Sequence, residues 1–362
     1  LVFKKRIAII SAHEGSLSWR KTVKRISNNF EETININILS DESYRTTNFF
    51  LRFKNRVIIY LVFPLLIIFS WKKLSKIDCL LVITSPFYLP LIVSLFYKKE
   101  KIIILHNDLY PEGFDKIPFA KFFNKIFKIY NLINNKHIAD CKYHIFLSEY
   151  HSEKRSFKRK EIIFPPALAR KVDKSRLSNF SNSVNLGYCG TMGYNHSGIE
   201  LVNILNKSKF SFMHNFKFHI SGALAKAFSN KASILNIENM SLKILEPLAE
   251  KDYIDFMNKI DYGIILVAPG SENTVFPSKL AAHLSFGHPI ILLSDKNNFL
   301  YQFILENEIG YCIDFNSSKF PNLYNEPYLQ QFAIKSNNAK KIFDRYFNHE
   351  IISDKYTHLL NI

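Results

Sequence analysis

A regular alternation constrains this chain more than any other feature. Short runs rich in Ile, Val, Leu and Phe recur along it, separated by segments of helical length. Runs so short and so uniformly apolar read as strands buried on both faces, the pattern of parallel sheets whose crossover helices cover each side. In the first part they are RIAII (6–10), ININ (34–37), CLLVIT (79–84), KIIIL (101–105), YHIFL (143–147) and EIIF (161–164). The intervening stretches at 17–29, 50–73, 87–98, 116–135 and 149–157 read as helices. Such a βαβ series predicts an α/β fold with a doubly wound parallel sheet.

The alternation breaks at PPALARKVDKSRLSNFSNS (165–183), which opens on Pro165-Pro166, turns charged and ends rich in Ser and Asn, as a linker does. It resumes at VNLGYCG (184–190) and continues through FKFHIS (216–221), SLKIL (241–245), DYGIILV (261–267), PIILL (289–293) and IGYCID (309–314), with a helical tail over 327–361. The 362 residues are therefore expected to form two Rossmann-like doubly wound domains facing across a linker. The first spans 1–165 and is joined by the C-terminal helix 347–362; the linker is 166–183; the second spans 184–346. Open α/β sheets bind ligands beyond the carboxyl ends of their strands, so a ligand is expected in the cleft.

Composition narrows the function classes. With 47% hydrophobic and 22% charged residues the chain builds ordinary cores and is not disordered. Cys79, Cys141, Cys189 and Cys312 are far apart and form no CxxC pair, so they read as buried thiols in a reducing compartment. His137, His214 and His349 show no ligand spacing, and no metal is expected. The net charge of +17 is uneven: residues 1–165 hold 28 basic and 14 acidic residues, leaving a surplus of only +3 for the rest. A basic half points to an anionic partner: nucleic acid, an anionic membrane surface or a phosphorylated substrate. No basic-aromatic repeat or known module supports nucleic acid.

Two apolar runs bear on membranes. Val57 to Trp71 is shorter than the span of about 20 residues that crosses a bilayer. Cys79 to Tyr97 is cut by Thr84-Ser85-Pro86 and by Pro90, and reads as a buried strand, a turn and an apolar helix. Neither is expected to span. The first, with Arg52, Lys54, Arg56, Lys72, Lys73 and Lys76 as flanks and Tyr60 and Trp71 as interfacial rings, fits an in-plane helix, or else a helix packed between sheet and neighbours. The opening LVFKKRIAIISA has too short an apolar part for a signal peptide.

The chemistry concentrates at βα turns. Gly190-Thr191-Met192-Gly193, followed by Tyr194 to Gly198 and a helix, has the strand, small-residue, helix order that presents backbone N–H groups to phosphate. Its spacing is neither GxGxxG nor GxxxxGKS. His219-Ile220-Ser221-Gly222-Ala223 is a second such turn. The most informative stretch is 264–293, IILVAPGSENTVFPSKLAAHLSFGHPIILL. A strand ends at Ala268, a loop carries Asn273-Thr274, Pro277 opens a helix, and the helix stops at Gly287. There the amides of Ser278 and Lys279 and the ammonium of Lys279 are expected to hold a pyrophosphate.

In the order of these segments (strand, loop, PSKL, apolar helix, FGHPII, strand) the chain resembles the donor-binding lobe of GT-B glycosyltransferases. It is most similar to the retaining, family-four-like enzymes of capsule, O-antigen and exopolysaccharide assembly. GYCGTMGYNHSGIEL resembles their first donor-lobe turn, and ILEPLAEKDYIDFMNKIDYGIILV their base-side loop and following strand. TSPFYLPLIVSLFYKKEKIIILHNDLYPEGF resembles the stretch in which a strand ends in an Asp and an aromatic-Pro-Glu turn. The resemblance implies a hexosyltransferase, retaining in mechanism, that takes a nucleotide-diphosphate sugar without a metal or other cofactor. Gly190, Thr191, Gly193, His196, Ser221, Gly222, Pro247, Leu248, Asn273, Thr274, Ser278 and Lys279 would meet the donor. His106 or Asp108 would lie near the reacting sugar or acceptor hydroxyl, with His13, Glu14, Gly15, Ser16, Tyr110 and Glu112 on the acceptor side. The acceptor would be a lipid-linked or growing saccharide of surface polysaccharide biosynthesis. The protein would be cytoplasmic, peripheral on the inner face of the membrane. The chain departs from the family pattern at Ala282 and Thr274, where two glutamates usually stand, and at Thr191 and Ser197, where Arg and Lys often clamp the pyrophosphate. Two other readings follow from those departures and from the His13, Glu14, His106 and Asp108 set: a degenerate sugar- or partner-binding protein, and a sugar-nucleotide epimerase of the same fold.

Overall fold

A computed structural model describes the chain apart from residues 1–2, 46–47, 108, 110–123, 171–183, 194, 197, 208–213, 222–224, 235–239, 245–247, 272–275, 318–319, 322 and 324–325. The chain divides into two compact units, Leu1–Ala167 with Asn348–Ile362, and Leu168–Asn273 with Pro277–Phe347.

The first unit holds β1 (Phe3–Ile10), β2 (Phe30–Ile36), β3 (Cys79–Ile83), β4 (Ile102–His106), β5 (Tyr143–Phe146) and β6 (Lys160–Ile162), in the sheet order β2-β1-β3-β4-β5-β6. Every pairing is parallel; Ala8 lies opposite Ile34 on one side and Leu80 on the other. β3 and β4 are buried at every residue, which is why they read as unbroken apolar runs. The helices are α1 (Leu17–Ser27), α2 (Asp41–Arg45), α3 (Phe49–Val57), α4 (Phe63–Phe69), α5 (Trp71–Leu74), α6 (Leu89–Phe96), α7 (Asn124–Ile138) and α8 (Glu149–Glu153).

The helix expected at 50–73 forms, with a local irregularity. α3 passes through a π turn at Ile58–Val62 into α4, and the N–H of Phe63 reaches back to the Ile58 carbonyl. The cause is Pro64, which has no N–H to give and cannot continue the regular ladder. The Tyr88 hydroxyl donates to the Ile59 carbonyl that this turn leaves available. Ile59, Phe63 and Ile67, four residues apart, are buried in the core of the unit together with Leu74, Leu80 and Val93. No helix among the described residues is long and apolar enough to cross a membrane.

The second unit repeats the plan. It holds β7 (Val184–Thr191), β8 (His214–Ser221), β9 (Met240–Ile244), β10 (Tyr262–Leu266), β11 (Ile290–Leu293) and β12 (Gly310–Ile313), in the order β12-β11-β10-β7-β8-β9, again with parallel pairings. The helices are α9 (Gly198–Lys207), α10 (Ala225–Ile234), α11 (Glu250–Met257), α12 (Lys279–Ser285), α13 (Phe299–Glu306) and α14 (Glu326–Tyr346). Leu186, Tyr188, Phe216, Phe218 and Ile264 anchor its core. The strand order reverses between β7 and β10, and that switch point opens a crevice at the carboxyl ends of the two strands.

The last helix, α15 (His349–Asn361), returns to the first unit and packs along α1. The Tyr356 ring meets Trp19 edge-on at 5.5 Å, and a bridge between Ala167 and Asn348 pins the crossover.

Candidate functional site

At the β7–β10 switch point the second unit gathers four of the expected donor residues around one lysine. Lys279, the first residue of α12, extends back over the end of β7. Its Nζ lies 3.4 Å from the Thr191 carbonyl and 3.2 Å from His196 Nε2, and 5.2 Å above the Tyr188 ring. Gly190 makes room for it. Its φ of +135° is one that side-chain-bearing residues rarely adopt, and a Cβ there would come within 2.7 Å of Lys279 Cε. Tyr188 and Gly190 are two apart on a strand, so both present to the same face. That spacing is the signal by which Tyr188, absent from the expected set, was legible.

The protonation states follow from the hydrogen bonds. The backbone N–H of Gly193 donates to His196 Nδ1 at 3.0 Å, so a neutral ring carries its proton on Nε2. That proton faces the Lys279 ammonium, and two donors meet without an acceptor between them. Burial, and then the lysine charge, push His196 down to about 3, so the ring stays neutral. Burial pulls Lys279 down to about 8. An anion arriving here would give the His196 Nε2–H an acceptor and the lysine a second one beside the Thr191 carbonyl. Asn195 and Ser271 brace the two loops: the Ser271 hydroxyl donates to Asn195 Oδ1 at 3.1 Å, and the Ala268 N–H to the Asn195 carbonyl at 3.0 Å. Neither residue was in the expected set, since nothing in their local pattern points across the sheet.

Ser221 ends β8 beside Thr191, its backbone paired in register. Leu248 precedes α11 and is half-buried, and Ser278 is exposed at the start of α12. Gly222, Pro247, Asn273 and Thr274 lie outside the described residues.

The first unit positions its expected residues differently from one another. After β1, His13 to Ser16 form a tight turn into α1. Gly15 has φ +79°, His13 Nδ1 accepts from the Gly15 N–H at 3.0 Å, and Ser16 caps the helix through the Trp19 N–H. The His13 ring stacks on Tyr44 at 4.0 Å, and Glu14 pairs with Arg20 at 3.5 Å. His13, Glu14, Arg20 and Ser11 border a concave pocket of about 330 Å³. His106 ends β4 but turns inward. Its Nε2 is 3.1 Å from His144 Nδ1, and its ring lies flat on Phe146 at 4.6 Å. His144 in turn stacks on Phe157 at 3.7 Å. Burial and the neighbouring ring push His106 well below its ordinary value, and burial takes His144 to about 4. As placed, His106 is a buried neutral ring that holds the strand end. Asp108, Tyr110 and Glu112 lie outside the described residues. Among the described residues no group of three His, Cys, Asp or Glu is arranged to hold a metal ion.

Two parallel, doubly wound units, the second with an anion-suited lysine at its switch point, define a two-domain Rossmann-like protein of the GT-B type. No protein-family profile and no curated protein matches the sequence, but solved structures match along its whole length. HepE from Anabaena, solved with UDP and glucose, aligns with a TM-score of 0.68 at 12% identity over 98% of this chain and 99% of its own. A glycosyltransferase from Rickettsia africae aligns at 0.61 and 14% identity, over 99% and 98%. WaaG, a glycosyltransferase of lipopolysaccharide biosynthesis, aligns at 0.57 and 11%, over 98% and 99%. The chain has the GT-B fold and resembles bacterial polysaccharide glycosyltransferases, as its motif order implied.

Proposed function

We propose that this chain is a glycosyltransferase that takes a nucleotide-diphosphate sugar and passes the sugar, a hexose, to a lipid-linked or growing saccharide in surface polysaccharide assembly at the cytoplasmic face of the membrane. The observation that carries this reading is Lys279 held over Gly190 beside the Nε2–H of His196, two donors converging where a doubly wound sheet binds its ligand. The diphosphate is the leaving group, and donors aimed at its developing charge lower the barrier. Lys279 and His196 take over the task of the Arg and Lys that Thr191 and Ser197 replace. Ala282 offers no carboxylate to a ribose, so the donor is held chiefly through its phosphates. Stabilising the leaving group in this way suits a retaining transfer, which needs no strong base, and the inward, neutral His106 agrees with that. Asp108 is the acceptor-side carboxylate that the resemblance supplies. No metal or other cofactor has a role in this reading.

The test is a binding series with UDP and uridine. Lys279→Ala is expected to weaken UDP by about 1–3 kcal/mol, the loss of a charged hydrogen bond, and to leave uridine nearly unchanged. Equal losses for both ligands would remove the lysine from the phosphate site. UDP binding without transfer or hydrolysis of any UDP-sugar would favour a sugar-binding protein over an enzyme.

A further inference from the structure

The first unit leaves an unusual amount of apolar surface uncovered, and it does so on two separate helical segments. On the segment built from α3, the π turn and α4, Ile59, Phe63 and Ile67 are buried in the core and Ile58 packs against it. Phe50 is 80% exposed on its outer side and Phe69 is 81% exposed, with Phe53, Leu61 and Leu65 between them. From Val57 to Phe69 the segment is uncharged and apolar on all sides, and the fold covers only one of them. α7 repeats the pattern. Tyr130, Asn134 and His137 face inward, the Tyr130 ring edge-on to Phe87 at 5.2 Å and His137 beside the Ser94 carbonyl. Ile126, Ile129, Leu132 and Ile133 face outward at helical spacing, Leu132 72% exposed.

The two segments are neighbours. A chain of ring contacts runs from Tyr60 through Tyr88 and Phe87 to Phe127, at 5.8, 5.8 and 6.1 Å. α6 packs against both α4 and α7, and exposes Leu95 and Phe96. The charges around this surface have one sign. No acidic residue occurs between positions 43 and 77 or between 116 and 139. Arg52, Lys54 and Arg56 stand exposed on α3, Lys72 and Lys73 follow α4, and Lys125 and Lys128 stand exposed on α7.

We infer that α7 and the α3–α4 helix form one docking face that seats in the surface of an anionic lipid bilayer, with both helices lying in the plane of the interface. Apolar side chains enter the acyl boundary while the lysines and arginines meet the headgroups. A second copy of this chain would bring an equally basic rim against the first, so like charges oppose that occupant. The inference deepens the proposed membrane location by assigning α7 to the contact, and it stands apart from sugar transfer, since no donor is needed to test it.

The full chain is mixed with vesicles of phosphatidylcholine, with and without phosphatidylglycerol, and sedimented in low and high salt. The protein is expected to pellet with anionic vesicles and to be partly released by salt, with each cluster charge changed to Gln weakening binding about fivefold. Ile129→Glu with Leu132→Glu on α7, and separately Phe50→Glu with Phe53→Glu on α3, are each expected to cut binding by tenfold or more. All four positions are exposed, so an unchanged thermal unfolding midpoint confirms that each variant folds. Wild type that stays in the supernatant beside anionic vesicles at low salt overturns the proposal. A dimer in solution that the Phe50/Phe53 variant splits, without vesicle binding, assigns the face to a second copy instead. If only the α3 variant loses binding, α7 is not part of the face.

Discussion

In the proposed reading, Lys279 carries both recognition and a pH dependence. Its ammonium is pulled down to about 8 in the free protein because burial removes water from it, and Cys189, whose thiol burial pushes up to about 11, offers little negative charge in return. A diphosphate restores the missing counter-charge and lifts the lysine back towards its ordinary value. Binding therefore takes up a proton above about pH 8, and affinity is constant below that pH and falls above it. Between pH 7.5 and 9 the Kd for UDP is expected to rise about tenfold, since one proton is linked to binding. Lys279→Arg, which keeps its charge throughout, should bind with a flat profile over the same range. Isothermal titration at several pH values reads both. A flat wild-type profile would mean that the lysine is already charged before the ligand arrives.

At the scale of elements, β4 and β5 are joined by more than their ladder. His106 and His144 face each other across the pair, and Phe146 and Phe157 complete a stack of four rings. Both imidazoles are neutral in the folded chain and take up protons more readily once unfolded, where the ordinary value near 6.5 returns. Folded values below unfolded ones mean that the stabilisation is complete above pH 6.5. It is lost as the pH falls from there towards about 4, the His144 value. His144 contributes a slope of about 1.4 kcal/mol per pH unit inside that window, and His106 acts in the same direction. Replacing both by Phe keeps the stack and removes the titration. The double variant should lose less thermal stability than wild type between pH 7 and pH 5, as scanning calorimetry would show. Equal losses would place the acid sensitivity in other groups.

At the scale of the molecule, the last helix ties the two ends of the chain into one unit. α15 buries Ile352, Tyr356, Leu359 and Leu360 and packs along α1, where the Ser353 hydroxyl donates to the Thr22 carbonyl. Four such side chains at about 1.5–3 kcal/mol each together contribute an amount comparable with the net stability of a typical domain. A chain ending at Phe347 is expected to lose cooperative unfolding of its first unit, while UDP affinity, which the proposed site assigns to the second, changes less than about twofold. Two calorimetric transitions in the full chain and one in the shortened chain would establish this. An unchanged pair of transitions would show that α15 is dispensable.

The sequence by itself determined the strands, the reversal into a second lobe and the GT-B type. A strand buried on both faces must be apolar at every position, so β3, β4, β10 and β11 announce themselves within a residue or two. It also brought Gly190, Thr191, Gly193, His196 and Lys279 onto one list, because turn chemistry is local. Whether those residues meet is not local. His196 and Lys279 are 83 positions apart, and only the return of α12 beside β7 puts their donors together. The same limit hid the inward turn of His106, which depends on a partner strand, and the open face of α3 and α4, since an apolar run looks alike whether its outer side meets protein or not. Periodicity records how much apolar surface a segment carries; the packing of the other elements decides how much of it the fold covers.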